Sequence, residues 1–181
     1  QTISPSAFKP QQVMDDWRSM GMMDFLQVSS FEPVTRDDFK RVHNPQMVDD
    51  VLDLRRRNGF RNTDPQIAAS LPYTSGSMLA AARWTLANRC PACSPTGGFH
   101  HAGFDEPEGY CTFNGLMVTA VKLLDEGLVR TVSILDCDVH EGNGTEDIIN
   151  RLGLHQQIQH HSMGYHFQTQ EQAGPDAIHF E

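Results

Sequence analysis

One stretch of the sequence restricts the fold more than any other: a short β-branched run that leads into a glycine-rich loop and then a helix. The run extends from Val129 to Leu135, the loop from Asp136 to Gly144, and Thr145 can cap the helix that follows. A continuous apolar run of this length is typical of a strand buried in a parallel sheet. The pattern therefore predicts an α/β domain with an open, mostly parallel sheet flanked by helices.

Apolar residues at helical spacing predict four helices before this strand. We expect them over Pro10–Met20, from Pro45 to a stop at Gly59, over Ser75–Asn88 and over Asn114–Glu126, with a loop at 58–73. Asn44 precedes Pro45, in keeping with the preferences for the first residues of a helix. The length of 181 residues predicts a single domain over 1–181.

Charge and hydropathy exclude several classes of protein. No apolar stretch is long enough for a membrane span, and Asp15, Asp16 and Arg18 interrupt the segment where an export signal would lie. With 23 acidic and 14 basic residues, the formal charge is −9, which argues against a dedicated nucleic-acid-binding protein. We expect a soluble, cytoplasmic protein that binds neither membranes nor nucleic acids, and whose negative charge can attract a cationic substrate.

Four cysteines occur at positions 90, 93, 111 and 137. Their number is even, but the missing export signal favours reduced thiols over disulfides. Cys90 and Cys93 have the spacing of redox and zinc sites, although a zinc ribbon would need a second pair at the same spacing. Reduced thiols in a loop are the favoured interpretation, and a redox protein that uses Cys90 and Cys93 stays open as an alternative.

The loop after the predicted strand carries residues that bind metals. Asp136, Asp138 and His140 are spaced two apart, so in an extended segment all three would point to one side, with Cys137 and Val139 on the packing side. Two carboxylates and one imidazole at a strand end suit zinc or a similar divalent ion. The other interpretation is an acidic turn that is simply solvated.

A tandem pair of histidines, His100 and His101, lies in a second loop between Gly98 and Gly103. Such a pair can be exposed and without a role. Beside a metal-binding carboxylate cluster, the two imidazoles become candidates for general base and general acid, because imidazole titrates near neutral pH.

Three blocks of residues together resemble the histone deacetylase superfamily. They are Gly98–Ala102, Gly109–Asn114 and Leu135–Thr145, and Arg41–His43 is similar to the same family's amino-terminal half. The resemblance covers about residues 30–165 and includes bacterial deacetylase-like amidohydrolases and acetylpolyamine amidohydrolases. It implies the arginase/deacetylase fold and a zinc-dependent hydrolase that removes acetyl or short acyl groups from amines such as acetyl-lysine or acetylpolyamines.

The resemblance also implies roles for individual residues. Asp138 and His140 match two of the family's three zinc ligands, and the same ligands accept Fe²⁺ or Co²⁺. His100 and His101 match the pair that transfers protons. The resemblance implies that Gly109 and Tyr110 line the substrate tunnel.

Further positions match residues that support this site. Asp136 matches a carboxylate that binds a monovalent cation such as K⁺ and supports His100, and Ser162 with the Met163 carbonyl would complete the cation site. Asn143 stands where the family has the Asp or Asn partner of His101. With Asn, the imidazolium form of His101 is favoured less than it would be with Asp.

The chain also departs from the family's pattern. The third zinc carboxylate and the oxyanion-stabilising Tyr or His have no convincing match; Asp176 is a late aspartate without the expected context, and His160 and His161 are interpreted as structural or exposed. The domain is therefore expected to be incomplete after the second zinc ligand: a shortened chain, half of a two-chain assembly, or a natural form without turnover.

Two functions remain open at this point. The first is the deacetylase, with an acetylated small molecule or protein lysine as its substrate. The second is a catalytically inactive module that binds partners. Because an incomplete sheet leaves strand edges uncovered, we also expect a homo-oligomer or a second chain that completes the domain.

Overall fold

The computed structural model describes residues 8–164 of the chain. Within that range the helices are α1 (Lys9–Ser19), α2 (Arg36–Lys40), α3 (Pro45–Leu52), α4 (Pro65–Asn88), α5 (Gly115–Asp125) and α6 (Asn143–Leu152), and the strands are β1 (Val132–Asp136) and β2 (Ile158–Ser162). A single 3-10 turn, Met22–Asp24, follows α1. No helix in this part of the chain is both long and apolar enough to cross a bilayer.

The two strands form a parallel pair that α6 connects. Their register places Val132 beside Ile158 and Asp136 beside Ser162, so both strands end at one edge. This confirms the predicted α/β class with an open parallel sheet flanked by helices. The sequence did not predict β2, because its polar residues lack the apolar pattern of a strand.

Strand β1 differs in two ways from the prediction. It begins at Val132 rather than at position 129, and only one of its faces is covered. Ile134 is buried, whereas the side chain of Leu135 is 68 % exposed. The prediction that β1 is covered on both faces, as strands of parallel sheets usually are, is therefore wrong for the described residues.

The apolar core lies between the helices and the inner face of the sheet. Helix α5 contributes most of its length to it, and α3, α4 and α6 each present one apolar side. The rings of Phe39 and Phe113 pack at its centre with their centroids 4.2 Å apart. The fully buried apolar side chains include Phe39, Val42, Val48, Met117 and Ile148.

Helix α4 is longer than predicted. The predicted loop at 58–73 is wrong from position 65 onwards. The helix begins there because the Asp64 side chain accepts a hydrogen bond from the Gln66 amide and Pro65 occupies the first helical turn. Pro72 removes one hydrogen bond inside the helix. Burial of Ala68, Leu71 and Leu79 against the core offsets that loss.

Two other helix boundaries also differ from the prediction. Helix α3 ends at Leu52 rather than close to Gly59. Helix α6 begins at Asn143, so Thr145 lies inside its first turn and is not the cap. Thr145 is fully buried and its amide donates to the His100 carbonyl at 3.0 Å, so this first turn holds the histidine loop.

A partly buried ion pair joins α2 to α5. One carboxylate oxygen of Asp38 accepts from Thr35 in a capping box, and the other lies 2.5 Å from Lys122 Nζ. Burial works to raise the pKa of Asp38, but the hydrogen bonds from Lys122 and Thr35 outweigh it and keep that pKa below its usual range.

Replacing Asp38 with Asn should lower the free energy of unfolding by about 2 kcal/mol, because Lys122 loses a charged partner at a site largely removed from water. Urea unfolding at pH 7 measures the change. Asp37→Asn is the matched control, since Asp37 is the exposed neighbour in the same helical turn, and it should stay within ~0.5 kcal/mol of the parent chain. Equal losses in the two variants would contradict a structural role for this ion pair.

Candidate active site

The paired histidines lie in the loop between α4 and α5, beside the carboxyl end of β1. Their ring centroids are 4.1 Å apart, and His100 is buried. A side chain at Gly144 would place its Cβ 2.4 Å from the backbone carbon of His101. The close approach of α6 to this loop therefore requires glycine at position 144.

A buried polar network fixes the backbone of the histidine loop. His43 Nδ1–H donates to the Gly103 carbonyl at 2.8 Å, and His43 Nε2 accepts from the Asn114 amide at 2.9 Å. The Asn114 side chain donates to the Ala102 carbonyl at 3.2 Å and to Thr145 Oγ1 at 3.0 Å. Because burial disfavours the charged ring, the pKa of His43 falls to about 4.

Each histidine of the pair is held at its Nδ1 atom. His100 Nδ1–H donates to Asp136 Oδ2 at 2.7 Å, and His101 Nδ1–H donates to Asn143 Oδ1 at 2.6 Å. The side chain of Asp136 is 8 % exposed, whereas Asn143 also donates to Glu108 at 3.3 Å. With Nδ1 engaged, Nε2 is the ring nitrogen that each imidazole can use toward a reacting group.

The two residues predicted as metal ligands lie together at the surface end of this site. Asp138 Oδ1 accepts from the His140 amide at 2.8 Å and from His140 Nδ1–H at 2.9 Å. The same oxygen lies 3.9 Å from His100 Nε2, and the rings of His101 and His140 are 5.7 Å apart. The structure thus brings all four residues to one place.

The pKa of Asp138 is set by two opposing effects. Partial burial works to raise it, but the hydrogen bonds from the His140 backbone and side chain, and the nearby imidazoles of His100 and His140, act in the opposite direction. The pKa of Asp138 therefore lies below its usual range. The carboxylate is ionised at neutral pH, as a metal ligand must be.

The predicted convergence of three side chains is not found. Asp136 turns inward to His100, while Asp138 and His140 remain half-exposed. Cys137 and Val139 are also exposed, so the prediction that they face the packing side is wrong. The chain bends after β1, and an extended alternation therefore does not continue past Asp136.

The donors that are present fit part of a divalent metal site. Two ligands held ~2.0–2.1 Å from a tetrahedral ion are roughly 3.3 Å apart. The contact between Asp138 Oδ1 and His140 Nδ1, at 2.9 Å, is close to that separation. Among residues 8–164, however, no three His, Cys, Asp or Glu side chains are grouped to hold a metal ion. These two residues therefore supply an incomplete ligand set.

The residues predicted for a monovalent cation lie next to one another at the ends of the strands. Ser162 Oγ accepts from the Gly142 amide at 3.0 Å, and the Met163 amide donates to the Asp136 carbonyl at 2.9 Å. The positions of Asp136, Ser162 and Met163 follow directly from the parallel register, in which Asp136 and Ser162 are partners.

Gly109 lies against the second histidine, and Tyr110 follows Gly109 in the chain. Gly109 has φ +55°, and a Cβ there would lie 2.4 Å from His101 Cδ2, so glycine is required for both the backbone and the ring. Tyr110 is exposed, and its ring centroid lies 5.9 Å from that of Phe60. The two aromatic rings contact each other, and Tyr110 is next to Gly109 in the chain.

A cleft of about 340 Å³ borders the site, and both His101 and Asn143 line it. Its lining includes four carboxylates, those of Asp105, Glu106, Glu108 and Asp147. Arg151 pairs with Asp105 and Arg56 pairs with Glu106, so part of this negative charge is neutralised.

Two of the four cysteines lie outside this constellation, whereas Cys111 is close to the backbone of His101 and Cys137 stands between Asp136 and Asp138 in the chain. Cys90 and Cys93 are exposed thiols in the irregular segment after α4, and not at the start of a helix as in a thioredoxin-like site. Cys111 is buried, and burial raises the pKa of its thiol to about 11. Asp176, the late aspartate, lies outside the described residues.

No role was assigned from the sequence to the buried residues that hold the backbone and the carboxylate of the site. His43 and Asn114 form the buried network, and His160 lies beneath Asp136 with its side chain 4 % exposed. A signal existed for the first two: His43 is the one histidine before position 99, and Asn114 caps a helix. No pattern in the sequence distinguishes the buried His160 from the exposed His161.

Comparisons with known proteins identify what this chain is similar to. A family model described as the histone deacetylase domain matches residues 6–172. Acetylpolyamine amidohydrolase of Mycoplana ramosa is 49 % identical over 61 residues, which cover 34 % of this chain and 17 % of that protein. Histone deacetylase 10, chloroplastic, of Oryza sativa subsp. japonica is 29 % identical over 140 residues, which cover 67 % of this chain and 32 % of that protein.

A solved structure has the same fold. The crystal structure of the HDA15 HD domain matches with a TM-score of 0.76 at 19 % identity and covers 88 % of this chain and 47 % of that one. The chain thus spans about half the length of this structural neighbour and a third or less of the two curated relatives above.

The buried, neutral His43 should make stability depend on pH. The unfolded chain binds a proton at this histidine below pH ~6.5, and the folded chain does so only near pH 4. The free energy of unfolding should therefore decrease by about 3 kcal/mol as the pH falls from ~6.5 to ~4. Urea unfolding across this range should show the loss in the parent chain and in His155→Gln, an exposed control. A His43→Gln variant with an unchanged pH slope would contradict the assignment.

Gly109→Ala should displace the His101 ring and destabilise the fold by about 1–3 kcal/mol, because the new methyl group overlaps the imidazole at a positive φ. Urea unfolding and the NMR signal of His101 Hδ2 measure the two effects. Gly97→Ala is the matched control in the same irregular region, since nothing lies within 4 Å of its Cβ position. An unshifted His101 signal in Gly109→Ala would refute the contact.

Proposed function

Because the chain belongs to the histone deacetylase family, we propose that it serves as a metal-dependent amide hydrolase that removes acetyl or another short acyl group from an amine. The observation that carries this proposal is the arrangement of His100 and His101. Both imidazoles are anchored at Nδ1, by Asp136 and Asn143 respectively, and lie next to Asp138 and His140.

The two imidazoles supply the proton transfers. One histidine takes a proton at Nε2 from the attacking water, and a histidine returns a proton to the departing amine nitrogen. His100 is hydrogen-bonded to a buried carboxylate and His101 to a neutral amide. The different partners would divide the roles of base and acid between the two rings.

Asp138 and His140 would hold the metal ion in this proposal. The donor set, one carboxylate and one imidazole, suits Zn²⁺ and also accepts Fe²⁺ or Co²⁺. The chemistry supplied by such an ion is polarisation of the acyl carbonyl and activation of water near neutral pH. A third ligand has to come from outside residues 8–164, because catalytic zinc sites take about three protein ligands.

Asp136, Ser162 and the Met163 carbonyl are proposed to bind a monovalent cation such as K⁺. The parallel register supports this, since it places the three residues together at the end of the sheet. The cation would stabilise the loop that carries Asp138 without taking part in the reaction.

The substrate is proposed to be an acetylated amine, either a small molecule or a protein lysine. Gly109 and Tyr110 would wall the tunnel that admits the acyl group, because Gly109 lies against the His101 ring and Tyr110 follows Gly109 in the chain. The carboxylates of the neighbouring cleft favour a carrier with positive charge, as in an acetylpolyamine or a basic peptide. Relatives of this chain include three that are named for acetylpolyamines and several that are named as histone deacetylases.

Zinc binding by the 181-residue chain tests the metal site. Isothermal titration with Zn²⁺ should detect one binding site that Asp138→Ala or His140→Ala weakens by about tenfold or more. His155→Ala, which removes an exposed histidine away from the site, should leave the affinity unchanged. Binding that none of these substitutions affects would place the metal elsewhere, and a chain that binds no zinc would favour the inactive binding module.

Deacetylation of acetyl-lysine and acetylpolyamine substrates with added zinc tests the proton transfers. His101→Ala should reduce kcat by about 10²–10⁴ if this imidazole transfers a proton in the rate-limiting step. His155→Ala again serves as the control. An active protein that is indifferent to His101→Ala would overturn the assigned role.

A further inference from the structure

Beneath the predicted catalytic pair, a third imidazole lies against Asp136. It belongs to His160 on β2, whose side chain is 4 % exposed. Its Nε2 atom lies 3.9 Å from Asp136 Oδ2, the same oxygen that accepts the hydrogen bond from His100 Nδ1 at 2.7 Å. Within the described part of the chain, this buried nitrogen has no hydrogen-bond partner.

The register of the two strands places this ring beneath Asp136. His160 pairs with Ile134 in the parallel register, so it takes the inward position while His161 is exposed. On the opposite side the loop carries Gly142, where a Cβ would lie 2.5 Å from Asp136 Oδ2 and 2.9 Å from His160 Nε2. Because Gly142 has no side chain, there is room for both the Asp136 carboxylate and the His160 imidazole.

The electrostatics of this space decide which ring nitrogen carries the proton. A lone pair on Nε2 would point at a buried carboxylate oxygen, whereas Nε2–H would be attracted to it. On the other side of the ring, Nδ1 lies 3.4 Å from Glu146 Oε2. Glu146 is half-exposed and also accepts from Asn150 Nδ2, so it can turn toward solvent while Asp136 cannot.

We propose that His160 is a positioning residue of the active site, in which His160 Nε2–H donates to Asp136 and so fixes the carboxylate that orients His100. A movement of about 1 Å shortens the present separation to the length of an ordinary hydrogen bond. Asp136 then accepts from His100, from His160 and from the Asp138 amide, which lies 3.1 Å from Oδ1. Three of the roughly four acceptor positions of the buried carboxylate are then filled by donors, which leaves one for the proposed cation.

This inference rests on the proposed role of His100, but its test measures the hydrogen bond and not the hydrolysis. In the ¹⁵N-labelled chain, long-range ¹H–¹⁵N spectra identify the protonated nitrogen of each imidazole. We expect a proton on His160 Nε2, whether the ring is neutral or charged. A neutral His160 ring protonated only at Nδ1 would overturn the proposal even if the protein proves to be a deacetylase.

Substitutions at position 160 then test the effect on His100. His160→Phe fills the space but removes the donor, so the His100 Nδ1 proton should shift and should exchange with water roughly tenfold faster, the factor expected for one lost hydrogen bond. His160→Gln keeps an N–H donor at the same position and should restore the parent spectrum.

His161→Phe is the matched control, since it makes the same change at the exposed neighbour on β2, and it should leave the His100 signal unchanged. Far-UV circular dichroism checks that each variant folds. A parent-like His100 signal in His160→Phe contradicts the proposal. If His160→Phe does not fold, a His160→Gln spectrum in which the His100 proton is lost would contradict it as well.

Discussion

The hydrogen bond between His100 Nδ1 and Asp136 Oδ2, at 2.7 Å, is the interaction on which the site depends. It joins two segments that are 36 residues apart, the loop before α5 and the end of β1. Because the carboxylate is 8 % exposed, water does not compete for this hydrogen bond, and the His100 ring is held at one orientation. The attachment positions the His100 ring so that its Nε2 atom lies 3.9 Å from Asp138 Oδ1.

The scaffold around that bond is polar but almost completely buried. His43, Asn114 and Thr145 form one network that satisfies the carbonyls of the histidine loop, and α6 closes it from the other side. Such networks favour a single arrangement, since any displaced member leaves a buried polar group without its partner. The rigid support explains how a loop, rather than a helix or strand, can hold two imidazoles 4.1 Å apart.

Much of this architecture could be predicted from local patterns in the sequence. The β-branched run followed by a glycine-rich loop indicated the parallel sheet, and Asn114 marked the start of α5, because both signals act over a few residues. The first turn of α6 could not be predicted, since Thr145 is recruited by the distant His100 carbonyl. Strand β2 was missed, and the sequence did not distinguish a structural His160 from an exposed one, because tertiary contacts decide their environment. The inward turn of Asp136 likewise depends on His100 and not on the alternation of neighbouring residues.

Asp138 and His140 are proposed to hold a metal ion within reach of the paired histidines. X-ray absorption at the zinc edge of the zinc-loaded chain tests it directly, because sulfur ligands at ~2.3 Å are readily separated from nitrogen and oxygen ligands at ~2.0–2.1 Å. We expect a shell of nitrogen and oxygen with the signature of a single imidazole, and loss of that signature in His140→Ala. A shell that contains sulfur, as binding at Cys90 and Cys93 would produce, would contradict it.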